Sequence, residues 1–178
     1  AFDEDREQLI EEMLGAEGIV DYIVNVGASL RGCRASVELA SKYDRIYAAV
    51  GVHPEDIEAL NEKEYEWLKN TALTNPKVVA IGEIGLDYHY EGYNREKQIE
   101  VFCELIELAQ EIDKPIIVHS RDATHDCLEV LRKYRPRGVV YCFSGSVETA
   151  KKILDLGMNV SFTGVLTFKN SKKAVVSC

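Results

Sequence analysis

Several absences set the first limits. No apolar run approaches the roughly 18–20 residues of a membrane-spanning helix, and no basic-then-apolar leader opens the chain. A cytoplasmic location and no membrane partner are therefore expected. The first residue is Ala1, not methionine, which points to a start that is processed or missing. The five cysteines (Cys33, Cys103, Cys127, Cys142 and Cys178) are odd in number, widely spread, and contain no CxxC pair. They read as reduced, mostly buried thiols and exclude a disulfide frame or a zinc knuckle. Positive charge is also scarce: 21 Lys and Arg face 30 Asp and Glu, for a net charge of −9. Proteins held to nucleic acid by bulk electrostatics are usually basic. An anionic substrate would have to meet a metal or a few placed Arg and Lys residues. No GxGxxG follows the first expected strand, and GEIG at 82–85 is too short to count, so a dinucleotide fold is weakly supported.

What is present is a chain of 178 residues, 46% hydrophobic and 29% charged, enough for a sizeable core. Apolar periodicity predicts helices over 3–17, 30–43, about 61–73, 95–112, 123–134 and 147–156. Asn61 with Glu64 three residues on is a capping-box-like helix start, and Asp122 is positioned to cap the helix from 123. β-Rich runs predict strands at Val20–Val26, Ile46–Val52, Val78–Ile84, Pro115–His119, Gly138–Phe143 and Asn159–Thr163, with a further helix begun after Leu166. This alternation is the signature of βαβ units around a parallel sheet. With no linker, low-complexity tract or shift in composition, one domain is expected.

Residues capable of chemistry fall at the C-terminal ends of the expected strands, where both (β/α)8 barrels and doubly wound sheets bind their ligands. Glu83 stands between Gly82 and Gly85 after an apolar run, and a buried carboxylate needs a cation, a partner or a reaction. His53, in GVHP, reads as a backbone-bonded strand-end histidine or as a phosphate contact or general acid. His119, ending PIIVH, reads equally as a core histidine or a metal ligand. Arg121 can steady Asp122 or grip an anion. Tyr141 reads first as a barrel-interior aromatic. The turn Ser144–Gly145–Ser146 can receive phosphate on helix N-terminal amides, or simply be the turn a helix needs. Asp87 is read as fixing the following loop by turn hydrogen bonds, and His125 as solvent-facing.

GVHP at 51–54, IGEIGLDY at 81–88, KPIIVHSRD at 114–122, CFSGS at 142–146 and FTGVLTFKN at 162–170 together resemble the TatD family of metal-dependent hydrolases. The resemblance runs the length of the chain. It implies an α/β (β/α)8 barrel, here incomplete with about six parallel strands, and one or two divalent metal ions (Zn, Mg or Mn) at its mouth. It also implies hydrolysis of DNA phosphodiesters by metal-activated water, in a 3′-to-5′ exonuclease manner. By motif, Glu83 and His119 would bind metal, Glu83 and His53 would be catalytic, and His53, Arg121 and Ser144 would contact substrate. Tyr141 stands where the family usually has a further metal-binding histidine. The family's opening His-x-His strand and its closing E-T-D-x-P strand are both missing, so residues 1–178 are expected to be a barrel domain truncated at both ends. Glu83 and His119 alone fall short of the roughly three protein ligands of a catalytic zinc. Weak metal binding and little activity are therefore expected. The rival readings are a catalytically impaired fragment and a hydrolase of another ester or amide on the same scaffold. A monomer is expected of the full-length parent.

Overall fold

The computed structural model describes residues 4–15, 18 and 20–167. Among these described residues six helices alternate with six strands: α1 Arg6–Leu14, β1 Ile23–Val26, α2 Leu30–Lys42, β2 Ile46–Val50, α3 Glu62–Thr74, β3 Val78–Asp87, α4 Arg95–Glu111, β4 Ile116–Arg121, α5 Thr124–Tyr134, β5 Gly138–Val140, α6 Val147–Asp155 and β6 Asn159–Val160. Short 3-10 turns sit at Ile57–Ala59 and Gly164–Thr167. Every strand pairs in parallel with the next, in the order β1-β2-β3-β4-β5-β6. Each crossover carries a helix, the usual solution for parallel strands. This sequential parallel order is that of a partial (β/α) barrel wall, as the resemblance implies, and not the reversed order of the doubly wound sheet that periodicity alone left open.

Local chemistry explains the helix starts. Ser29, Asn61, Asn94 and Ser146 each accept a bond from the amide three residues on, at 3.1, 3.1, 3.0 and 3.3 Å. Each satisfies one of the four amides a helix leaves unpaired at its N-terminus. Asp122 does not do this. Its backbone is left-handed (φ 53), whereas capping needs an extended residue, and its carboxylate accepts from His89 instead. The N-cap position of α5 falls to Ala123, which has no side-chain bond to give.

The core lies where α2, α4 and α5 press apolar faces onto the sheet. Phe102, Leu105 and Ile106 of α4 are fully buried against Ile81, Ile84 and Leu86 of β3. Burial on both faces makes β3 a nearly continuous apolar run. That run extends to Asp87, three residues past the expected end at Ile84, because β4 pairs with it as far as Arg121. At the other end of the sheet, β5 stops at Val140 and β6 at Val160, earlier than expected. Cys33 and Cys127 are buried and Cys103 and Cys142 half-buried, all as free thiols. Cys178, and most of the helix expected after Leu166, lie outside the described residues. No helix among the described residues is long and apolar enough to cross a membrane.

Candidate metal centre

The site is built on the last turn of pleat in β3. Side chains alternate along a strand, so Glu83, Gly85 and Asp87 share one face. The β3–β4 ladder shifts register between Ile81 and Ile84, around a cis peptide at Gly82–Glu83, and then sets Gly85 opposite His119. His119 therefore faces the strand midway between two carboxylates, each a diagonal cross-strand neighbour within reach of a long side chain. Its Nδ1 lies 3.1 Å from Glu83 Oε1 and its Nε2 2.9 Å from Asp87 Oδ2. Gly85 is what permits this approach. Its φ is +145, and a Cβ there would lie 2.0 Å from the His119 carbonyl oxygen.

His53 joins from the turn after β2, its ring edge-on to His119 with centroids 4.3 Å apart. Glu55 N–H donates to His53 Nδ1 at 3.3 Å, and Glu55 Oε2 lies 3.5 Å from the same nitrogen. With its proton on Nε2, His53 can donate to an anion. With the proton on Nδ1, the Nε2 lone pair is free for a cation.

The electrostatics follow from the packing. Burial pulls the His119 pKa down, but hydrogen bonds to Glu83 and Asp87 outweigh it and hold the pKa above that of ordinary histidine. Burial, with the charge of His119 alongside, draws His53 below its usual value. For Asp87, which is only 3% exposed, burial raises the pKa, but the His89 amide and His119 together lower it below the usual carboxylate value.

His53, Asp87 and His119 each place a donor atom within 4.8 Å of the others. Nitrogen and oxygen ligands at about 2.1 Å from one cation sit about 3.0–3.4 Å apart in octahedral or tetrahedral arrangements. The 2.9 Å gap between His119 Nε2 and Asp87 Oδ2 is close to such an edge. Glu83 on the far ring nitrogen completes the carboxylate–histidine arrangement that orients metal-binding imidazoles. One buried and one half-buried carboxylate facing two imidazoles are a donor set that fits a hard or borderline divalent ion.

The structure thus brings Glu83, His119 and His53 together and adds Asp87. As the sequence predicts, Asp87 Oδ1 holds the next loop by accepting from His89 N at 2.9 Å; its second oxygen, on His119, was not foreseen. The readable signal was E-x-G-x-D, three alternate positions on one strand face, hidden by ending the strand at Ile84. Arg121 makes no close ion pair with Asp122, whose charge acts on it only weakly. Its guanidinium lies over the Tyr90 ring at 5.3 Å and donates to the Tyr90 hydroxyl at 3.4 Å. Ser144 is exposed and shares with Arg121 a cleft of about 220 Å³ between α5 and α6. Tyr141 is not a barrel-interior aromatic. Because β5 ends at Val140, Tyr141 already lies in the turn, 44% exposed, and among the described residues its hydroxyl makes no hydrogen bond to the cluster. His125 faces solvent as expected, its side chain 87% exposed.

A family model described as "TatD related DNase" matches residues 1–177. The chain is 40% identical over 175 residues to the uncharacterized metal-dependent hydrolase YabD of Bacillus subtilis, covering 97% of this chain and 68% of that protein. It is 38% identical over 160 residues to the uncharacterized metal-dependent hydrolase YcfH of Escherichia coli, covering 86% and 58%. Among solved structures, the TatD homolog YJJV of Escherichia coli superposes with a TM-score of 0.84 at 31% identity, covering 92% of this chain and 64% of that one. The chain thus spans roughly three-fifths to two-thirds of these relatives' lengths.

Proposed function

From the premise that this chain belongs to the TatD-related DNase family, whose relatives are named metal-dependent hydrolases, we propose that it serves phosphodiester hydrolysis on DNA, working from a chain end. The observation that carries this reading is the convergence of Glu83, Asp87, His119 and His53 on one strand-end cluster. A divalent ion held by such a set supplies positive charge for a phosphate and lowers the pKa of a bound water.

The chain's own residues do the rest. His119 and Asp87 offer adjacent donor atoms for the ion, and Glu83 either joins them or holds His119 from its far nitrogen. Held neutral by burial, His53 can donate one proton to a phosphate oxygen from Nε2. Arg121 and Ser144, on the neighbouring cleft, offer a guanidinium and a hydroxyl to the flanking phosphate. Tyr141, exposed in the turn after β5, is not counted among the residues that would hold the ion.

The test is cleavage of an end-labelled oligodeoxynucleotide with Mg²⁺, Mn²⁺ or Zn²⁺, repeated with Glu83→Ala and His119→Ala. Metal-dependent cleavage that both substitutions abolish supports the reading. A folded protein that cleaves no phosphodiester with any of the three ions refutes it. An impaired relative, or an enzyme acting on another ester or amide, would then fit better.

A further inference from the structure

The loop that leaves β3 presents an aromatic surface that Tyr88 anchors on the core and Tyr90 and Tyr93 carry outward. Tyr88 and Tyr93 stack with centroids 4.6 Å apart and planes within 9°. Tyr88 is clamped from behind. Its hydroxyl donates to Asp126 Oδ2 at 2.7 Å, and Arg95 grips the same carboxylate through Nε at 2.6 Å and Nη2 at 2.9 Å. Tyr93 is the outer ring of the pair and stays 43% exposed. Tyr90, 53% exposed, lines the same cleft of about 260 Å³, and so does Asp87 of the metal cluster. A rigid, half-open ring pair beside a reactive cluster is an ordered apolar face with its rotamer entropy already spent.

Charge decides what can rest there. The residues lining this cleft include Glu55, Glu58 and Glu91 and, among the described residues, no Lys or Arg, with the Arg121 guanidinium lying over the Tyr90 ring. A phosphate would be repelled from such a wall. A neutral planar ring would not, and the amino edge of a base can donate to those carboxylates. The volume is below the roughly 300–1,000 Å³ of sites for larger ligands, so it suits one ring system. A nucleotide entering this mouth would turn its phosphate toward the cluster and Arg121 and its base toward the tyrosines.

Resting on the reading that the substrate is a nucleic-acid phosphodiester, we propose that Tyr93, backed by Tyr88 and joined by Tyr90, forms a stacking subsite for one unpaired nucleobase beside the metal cluster. Stacking of a base on an aromatic side chain contributes about 1–3 kcal/mol. This term is independent of salt-screened charge, which matters for a chain of net charge −9.

The test is fluorescence anisotropy of a labelled single-stranded oligodeoxynucleotide in EDTA, where no cleavage occurs. Tyr93→Ala should weaken binding by about 5- to 150-fold, while Tyr93→Phe stays within two-fold of wild type. On an oligonucleotide of abasic sites, the gap between wild type and Tyr93→Ala should shrink below two-fold. Tyr90→Ala, which leaves the Tyr88–Tyr93 stack in place, should also weaken binding to the normal oligonucleotide. Unchanged binding by both alanine variants, an equal loss on the abasic strand, or no binding by wild type overturns the subsite. The hydrolase reading fails separately: tyrosine-dependent binding would persist while no metal supports cleavage.

Discussion

Asp87→Asn separates a metal-binding role for this residue from a purely structural one. The substitution keeps volume and shape. Asn Oδ1 can still accept from the His89 amide, and Asn Nδ2 can donate to His119 Nε2 where Asp87 Oδ2 now sits at 2.9 Å. The cost to folding should therefore be small, about 1 kcal/mol, a typical net value for one hydrogen bond. What is lost is the negative charge facing the cation position. Even outer carboxylate partners of metal sites are worth 10- to 100-fold in affinity, so at least a 10-fold weaker site is expected. Titration calorimetry of Mn²⁺ or Zn²⁺ into metal-free protein measures this directly. Thermal melts give a second reading. An ion at 100 times its dissociation constant stabilises wild type by about 2.7 kcal/mol, and a 10-fold weaker variant at the same concentration gains only about 1.4 kcal/mol. For a chain of this size the missing 1.3 kcal/mol corresponds to about 3–5 °C of metal-induced Tm shift. A variant that binds the ion within two-fold of wild type would refute the reasoning and leave Asp87 as a loop anchor alone. Asp87→Ala is the control for the structural role: it leaves the His89 amide and His119 without their acceptor and should cost about 2–5 kcal/mol of stability.

Gly85→Ala should destabilise the fold by about 3 kcal/mol or more, because the new Cβ meets backbone, His119 O at 2.0 Å, at a φ of +145. Urea unfolding checks this, and a loss below 0.5 kcal/mol would mean the strands part there easily. Asp126→Asn should cost about 1–2 kcal/mol at neutral pH by weakening the bonds from Arg95 and Tyr88. The Arg95 guanidinium holds the Asp126 carboxyl well below the usual range, with burial opposing and Tyr88 assisting. Its stabilising effect is therefore complete above about pH 4 and fades as the pH falls below that, so the gap between wild type and variant should narrow in acid. Chemical denaturation at pH 7 and pH 3 measures it, and a constant gap would contradict the assignment. Burial pushes the Cys33 thiol up to about 11 and the Cys127 thiol up to about 12. Both should resist iodoacetamide at pH 8 in the folded protein and react on unfolding, as peptide mass mapping would show.

Much of this protein is legible residue by residue. The alternation of strands and helices, the capping side chain of Asn61, and the placement of Glu83 and His119 in the C-terminal halves of their strands all follow from local pattern. The element ends are less legible. β3 continues to Asp87 because β4 is there to pair with it, whereas β5 stops at Val140. The sheet, not propensity, sets those limits. Asp122 looked like a cap because its side chain suits one, but its left-handed backbone rules that out.

The sequence by itself determined the class of this protein: a parallel α/β chain, with acid and imidazole at the strand ends and motifs of one hydrolase family. These are properties of periodicity and spacing, which survive in one dimension. Only the tertiary structure decided the membership of the site. Register sets His119 opposite Gly85, and that single pairing brings Glu83 and Asp87 to its two ring nitrogens. The His53 ring arrives from a third strand end. Register is a relation between segments more than 30 residues apart, so no local pattern carries it. A shift of one residue would turn every one of these side chains to the opposite face.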